Sequence, residues 1–268
     1  MTAGSIISII NHKGGVGKTT TAVCLGEALA REGLRVLVVD LDSQCNTTDM
    51  LLAGRDFELS AFDVLNPAQG EVRPEDCVQP TDIPGLDCLP NRHDSIYLEP
   101  ELIAMGPEGF RLLRERLQTF FRTAYDLTLI DNPPNLGTFV ASGLLASDYA
   151  IVPCDAGSLA SLKGFSNALD FIEEIRENGN PDLRFLKGLV TRVDRRTSVW
   201  RTIIDEKTVE LGEDWVFRTV IPMNTDFQRA EYSGRTIFRV RPGAPGARAY
   251  RELARELLAV LEKRSGDS

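Results

Sequence analysis

A chain of 268 residues with 43% hydrophobic content is long enough to bury a substantial core, as one large α/β domain or two small ones. No apolar run approaches the roughly 18–20 residues needed to cross a bilayer, and no basic stretch leads into a secretory hydrophobic segment, so a cytoplasmic protein is expected. The net charge of −9 excludes a wholly basic nucleic-acid binder, yet residues 1–179 carry 13 Lys/Arg against 26 Asp/Glu and residues 180–268 carry 17 against 13, which places any basic surface towards the C-terminus.

In chain order, an apolar strand over 6–10 feeds the turn Lys13-Gly14-Gly15-Val16-Gly17-Lys18-Thr19-Thr20, and a helix is predicted over 19–32, with Gly33 placed to stop it. Glycines 14, 15 and 17 lack a Cβ and can turn successive N–H groups onto a polyphosphate. Lys18 would add a point charge near the β- and γ-phosphates, the Thr19 hydroxyl a ligand for Mg²⁺, and the helix its positive end. A strand over 35–39 ends at Asp40 and Asp42. For Asp40 two readings stand, a group at the ligand edge of the sheet or a cap on the next helix. Further strands are expected near 86–89, 127–130, 149–152, 187–193 and 216–221, and helices over 108–121, 159–178, 199–211 and 246–263. The apolar strand running into Asp131 has the form of a magnesium-binding strand end. This alternation implies an α/β fold, a mostly parallel twisted sheet flanked by helices on both faces. The Pro-rich stretches 67–90 and 242–245 look like surface loops and not linkers, so a single domain over 1–268 is expected.

The glycine turn fits the general G-x-x-x-x-G-K-[ST] pattern poorly, because His12 stands where its first glycine would be, five residues before Gly17. With Lys13 at its front it closely resembles the deviant Walker A of the ParA/MinD ATPases, a class of P-loop NTPases. Two other segments extend the resemblance. Asp40-Leu41-Asp42-Ser43-Gln44-Cys45-Asn46-Thr47-Thr48 is similar to the family's switch I, D-x-D-P-Q-x-N-x-T, with Ser43 and Cys45 in place of proline and glycine. Asp131-Asn132-Pro133-Pro134-Asn135-Leu136-Gly137 is similar to its switch II, D-x-P-P-x-x-G.

The resemblance implies ATP and Mg²⁺ as cofactors. Lys13, Gly14, Gly15, Val16, Gly17, Lys18, Thr19 and Thr20 would hold the phosphates, and Lys13, Lys18 and Asp42 would serve catalysis. Thr19, Asp42 and Asp131, the last through water, would hold the metal, and Gly137 would sense the γ-phosphate by backbone rearrangement. The segments from Leu189 to Thr197 and from Val220 to Asn224 resemble the two base-contacting segments, with Pro222 and Asn224 framing adenine and the Asn224 amide able to donate and accept.

Lys13 implies an ATP-dependent homodimer, since this lysine reaches the partner subunit's phosphates in the family, and slow hydrolysis stimulated by a ParB-like or adaptor protein would release it. A dimer of the ParA type would bind nonspecific DNA and be nucleoid-associated while positioning a chromosome, plasmid or protein cargo. Arg196, Arg229 and Arg235 are the candidate DNA contacts, although Met223 and Asp226 occupy positions that are commonly arginine. A solvated arginine-rich face is the plain alternative. A MinD-like regulator acting at membranes or on a protein scaffold, without DNA, is the alternative function, and a metabolic nucleotide-dependent transferase or ligase of related fold is a third. A membrane partner is not expected, because the last helix carries Tyr250, Leu253, Ala254, Leu257, Leu258 and Leu261 on one stripe without the aromatic, lysine-rich character of a membrane-surface helix. The five scattered cysteines read as reduced thiols. The nitrogenase iron proteins, which resemble this family, place a cluster-ligating cysteine where Asn132-Pro133-Pro134 stands, so no cluster is expected. His12 and His93 read as structural or surface residues.

Overall fold

Period-two alternation decides how the central strands are clothed. In strand β2 (Val36–Asp40), Val36 and Val38 face one apolar cluster and Leu37 and Val39 another. Strands β1 (Ser5–Ile9) and β5 (Leu127–Asp131) divide in the same way. A strand buried on both faces reads as a nearly continuous apolar run, and these do, broken inside only by Ser8 in β1 and Thr128 in β5.

The structure is a computed structural model that describes residues 4–70, 72–157, 159–194, 201, 204, 205, 208, 209, 211, 212 and 214–266. The chain continues from β1 into helix α1 (Lys18–Arg31), then β2, α2 (Asn46–Leu52), α3 (Ala61–Leu65), α4 (Pro74–Cys77), β3 (Gln79–Pro80) and β4 (Leu86–Leu89). A 3₁₀ turn (His93–Leu98) leads into α5 (Glu99–Ala104) and α6 (Pro107–Ala124), followed by β5, α7 (Thr138–Ala146), β6 (Tyr149–Asp155), α8 (Leu159–Asn178) and β7 (Arg184–Thr191). The last described elements are α9 (Thr225–Tyr232), α10 (Ile237–Val240) and α11 (Pro245–Gly266). The sheet order is β3-β4-β2-β5-β1-β6-β7, parallel throughout except for the short β3 at the edge. The expected mostly parallel sheet with helices on both faces is therefore present.

Helices α1 and α11 cover one face, α6 and α7 the other, and α8 with part of α7 the β6–β7 end. Gly33 stops α1 as expected. At φ +96 it lets Gly33 N donate to Ala30 O and Leu34 N to Leu29 O, the paired bonds of a Schellman motif. The last helix packs inward. Tyr250, Leu253, Ala254 and Leu257 are each 1% exposed or less, and the Tyr250 hydroxyl lies 3.1 Å from that of Thr21 on α1. No helix among the described residues is long and apolar enough to cross a membrane.

The expected strand over 216–221 does not form. Only isolated bridges pair Gly188 with Val216 and Val193 with Pro222. Between them the N–H groups of Arg218 and Thr219 donate to the Glu256 carboxylate of α11, at 2.7 and 2.9 Å, which draws the chain off the edge of β7. The helix expected over 199–211 lies largely outside the described residues. Strands β1, β2, β5, β6 and β7 end along one edge, and everything chemical gathers there.

Candidate functional site

The loop after β1 is shaped by two residues with positive φ, Gly15 at +75 and Gly17 at +89, the latter capping α1 in the left-handed region. Gly14 does not adopt that region and lies beside Pro134. Val16 is fully buried and pins the loop, and its carbonyl accepts from Thr191 Oγ1 at the end of β7 at 2.8 Å. Lys18 is 7% exposed, with its ammonium donating to the carbonyls of Asn11 and Lys13 at 3.3 and 3.4 Å. Burial lowers its pKa, while Asp131 and Asp42 pull it back up. The outcome is a cation held at the mouth of the loop by long, weak bonds, which phosphate oxygens can replace.

Asp40 settles into the capping role. Its carboxylate accepts from Asp42 N at 3.0 Å and from Thr48 N and Oγ1 at 2.9 and 2.7 Å, the Thr48 N–H belonging to the first turn of α2. Asp42 then stands at the mouth of the cleft, 9% exposed, with Oδ1 accepting from Gln44 N at 3.0 Å. Across the β2–β5 ladder from Asp40 is Asp131. Its Oδ2 accepts from Thr47 Oγ1 at 2.7 Å, whereas Oδ1 is buried and has no hydrogen-bond partner among the described residues. Burial raises the pKa of both carboxyls, and for Asp40 the charge of Asp131 adds to the rise. For Asp131 the hydroxyls of Thr47 and Thr19 and the Lys18 ammonium offset part of it. A buried carboxylate oxygen left without a donor, beside the Thr19 hydroxyl and near Asp42, is a donor set suited to a hard cation with retained waters. These residues fit Mg²⁺.

Lys13 has a partner within its own chain. Its Nζ is 3.8 Å from Asp155 Oδ2 at the end of β6, and Arg192 Nε is 3.9 Å from the same oxygen. Arg192 holds a left-handed conformation at φ +54 and donates from Nη1 to Gly15 O at 3.3 Å. Neither Asp155 nor Arg192 stands out in the sequence, because the unusual φ that aims Arg192 over the loop has no local signature. Thr47 lies inside the switch I pattern, but its bond to Asp131 has no local signature either.

At the base end, Asn224 caps α9, its Oδ1 accepting from Asp226 N at 2.9 Å. That cap uses one lone pair of the oxygen and leaves a second, and the buried Nδ2 has no hydrogen-bond partner among the described residues, so both remain for a base edge. A cleft of about 530 Å³ runs from Gly14, Gly15, Gly17, Lys18, Thr19 and Thr20 past Asp42 and Pro134 to Pro222, Asn224, Phe227 and Tyr250. It brings together most of the expected nucleotide contacts. A larger cavity of about 1070 Å³ lies behind the 222–226 segment, bordered by Asp194, Arg218, Arg241, Arg248 and Glu252, and no residue of the phosphate loop or of either switch lines it.

The expected arginine patch is partly neutralised. Asp226, 3% exposed, is 3.1 Å from Arg229 and 3.3 Å from Arg241, and Arg239 is 3.7 Å from Asp82. Arg235 is exposed and has no ion pair among the described residues. Arg196 lies outside the described residues. All five cysteines are buried, and none forms a disulfide among the described residues. His12 is exposed, and His93 Nδ1 donates to Ser43 O at 2.8 Å.

A family described as an AAA domain matches residues 4–185. The chain is 40% identical over 259 residues to the chromosome-partitioning ATPase Soj of Thermus thermophilus, covering 96% of each chain. It is 35% identical over 257 residues to the sporulation initiation inhibitor protein Soj of Bacillus subtilis, covering 96% of this chain and 99% of that one. Among solved structures it is similar to cobyrinic acid a,c-diamide synthase of Mycobacterium smegmatis with a bound ATP analogue and magnesium, at 32% identity and a TM-score of 0.80, covering 97% of this chain and 96% of that one.

Proposed function

Because the chain belongs to the ParA/Soj family of partitioning ATPases, we propose that it works as one ATPase domain over residues 1–268 whose ATP-bound dimer holds nonspecific DNA and positions a cargo. It is an ATP hydrolase that uses Mg²⁺. The observation that carries the placement of the chemistry is the meeting of Lys18, Asp42 and Asp131 at one strand edge, with Asp131 Oδ1 buried and without a hydrogen-bond partner among the described residues.

In this reading the backbone of Gly14 to Thr20 and the Lys18 ammonium bind the phosphates, and Pro222 and Asn224 Nδ2 meet the base. Asp131, Thr19 and Asp42 hold Mg²⁺, which neutralises phosphate charge when bound. Asp42 orients the attacking water. Its position is fixed from two sides, through its own N–H to Asp40 and through Oδ1 from Gln44 N. A carboxylate held in this way supplies orientation without reorganisation during the reaction. Lys13 exchanges Asp155 for the partner subunit's phosphates, so that ATP joins two chains and hydrolysis parts them. Arg229, Arg235 and Arg196 face DNA phosphates, a ParB-like or adaptor protein stimulates turnover, and the protein is cytoplasmic and nucleoid-associated.

One observation favours a second reading, a spatial regulator that acts on a protein scaffold without DNA. Asp226 occupies Arg229 and Arg241, which lowers the positive charge available to phosphates. A membrane version has little support, since α11 spends its apolar stripe on the core. A ligase resembling the synthase would need a substrate pocket opening on the phosphates, and the large cavity is cut off from them by the base-framing segment. Electrophoretic shift of a nonspecific duplex, with ATP and with ADP over a salt series, separates the readings. An ATP-dependent shift that weakens steeply with salt supports the DNA-holding dimer, and no shift at low salt overturns it.

A further inference from the structure

Arg192 follows β7 with φ at +54, one of three non-glycine residues at positive φ among the described residues and the only one of them with a long side chain. Such a backbone is strained, and it persists only where the surroundings hold it. Here both neighbours are pinned. Thr191 Oγ1 donates to Val16 O at 2.8 Å, and Val193 N donates to Ile221 O at 3.0 Å, with each of the two residues 2% exposed. The left-handed turn between them carries the Arg192 side chain, 55% exposed, off the end of β7 and over the phosphate loop.

Once there, the guanidinium is loosely held. Its Nη1 donates to Gly15 O at 3.3 Å, the only hydrogen bond of this side chain among the described residues, and its Nε lies 3.9 Å from Asp155 Oδ2. Both contacts are long, and most of the planar fork is left for other acceptors. Lys13 Nζ is 3.8 Å from the same Asp155 oxygen, while Asp155 Oδ1 accepts from Gly157 N at 2.9 Å. Two cations thus share one carboxylate, and the cluster keeps an excess of positive charge beside the loop. Arg192 also lines the nucleotide cleft, the only arginine to do so among the described residues. It stands between the two ends of that cleft, since Gly15 belongs to the loop and Val193 bridges to Pro222 of the base-framing segment. A backbone carbonyl is a weak partner for a guanidinium, and a phosphate oxygen is a strong one.

We propose that Arg192 is a further nucleotide-binding residue, one that trades the Gly15 carbonyl for phosphate oxygens of the nucleotide held by its own chain while its Nε edge stays towards Asp155. The proposal rests on the ATPase reading above and adds a second side-chain cation, beside Lys18, to the phosphate end of that site. It also divides the labour of the Asp155 cluster. Lys13 serves the partner subunit's phosphates and Arg192 those of its own chain, so Asp155 keeps a counter-ion after Lys13 leaves it. A planar fork can meet two phosphate oxygens at once, which a lysine ammonium does not reproduce.

The test follows the binding of ADP, labelled on its ribose with N-methylanthraniloyl, to the full chain by anisotropy over a salt series, with urea midpoints measured without nucleotide. In the ATPase reading ADP does not join two chains, so its affinity reports contacts within one chain. Arg192→Gln keeps most of the side-chain length without the charge, and Arg192→Gly relaxes the left-handed backbone. Each should weaken ADP binding by about tenfold to a hundredfold at low salt, the range for a hydrogen bond to a charged group, and the loss should shrink as salt rises. Arg192→Lys should recover part of the affinity, and the urea midpoint of Arg192→Gly should not fall. Three results would overturn the proposal. The first is wild-type ADP affinity in Arg192→Gln, which, if the ATP dimer is lost in the same variant, gives the residue to the partner subunit's nucleotide. The second is an equal loss at every salt concentration, which marks a contact with base or ribose. The third is a urea midpoint that falls in both variants along with the affinity, which marks a role in the fold. Absence of ADP binding in the wild type is a separate result and counts against the ATPase reading.

Discussion

Thr47 Oγ1 donates to Asp131 Oδ2 at 2.7 Å, joining the first turn of α2 to the end of β5 and leaving Oδ1 as the free oxygen of that carboxylate. The bond fixes which oxygen faces the proposed metal. Thr47→Val keeps the side-chain shape and removes the donor, so a buried carboxylate loses one of its hydroxyl partners, at a cost of about 1–3 kcal/mol. Partners that orient a metal ligand commonly contribute about 10–100-fold to affinity or activity. We expect a loss of that order in magnesium-dependent turnover and a lower urea midpoint, with Thr47→Ser close to wild type. A magnesium titration of Thr47→Val that matches wild type would remove the bond from the mechanism.

Asp42 is held by two hydrogen bonds and is 9% exposed, so its removal should alter chemistry more than folding. Asp42→Ala should slow hydrolysis by about 10²–10⁴-fold, the range for groups that position or deprotonate a nucleophile. ATP should still bind, and the ATP dimer should accumulate. Phosphate release and light scattering on one sample check both halves, and wild-type turnover would exclude Asp42 from catalysis.

Much of this was legible in the sequence because it is local. The glycine turn, its lysines and the strand ends at Asp40 and Asp131 each announce themselves within about ten residues, and parallel strands put their ends on one edge. Long-range contacts were not legible. Asp155 meets Lys13 from another strand, and Arg192 takes a left-handed φ that no neighbouring residue demands. The strand expected over 216–221 failed for the same reason, since Glu256 of the last helix captures the N–H groups of Arg218 and Thr219, the second of which would have paired with β7. The cap that Asn224 Oδ1 provides to α9 was likewise not legible from the base-framing pattern.

The Asp155 carboxylate shared between Lys13 and Arg192 implies a competition. If Lys13 must leave Asp155 to reach a partner subunit, Asp155→Asn should ease dimerisation, and Lys13→Gln should prevent it while leaving some ATP binding. Partly exposed pairs are worth about 0–1 kcal/mol, so Asp155→Asn should lower the ATP concentration needed for half dimerisation by up to about fivefold. Light scattering against ATP concentration measures this for both variants. A full ATP dimer in Lys13→Gln would show that the lysine does not act across subunits.

Asp226 bears most directly on whether this chain holds DNA. Its carboxylate, 3% exposed, draws in the guanidinium groups of Arg229 and Arg241 at 3.1 and 3.3 Å. Each arginine so engaged meets a phosphate at the expense of an existing partner. Asp226→Asn preserves the side-chain shape and the backbone bond from its N–H to Asn224, and releases both cations. If they face DNA, affinity for a nonspecific duplex should rise, and the slope of log affinity against log salt should steepen by about 0.9 for each phosphate newly contacted, up to about 1.8 for two. Arg235→Ala should flatten the slope by about 0.9, since that side chain is exposed and has no ion pair among the described residues to give up. Should Asp226→Asn change neither affinity nor slope in an ATP-bound sample, the arginines around it serve the fold, and the scaffold reading gains at the expense of the DNA-holding one.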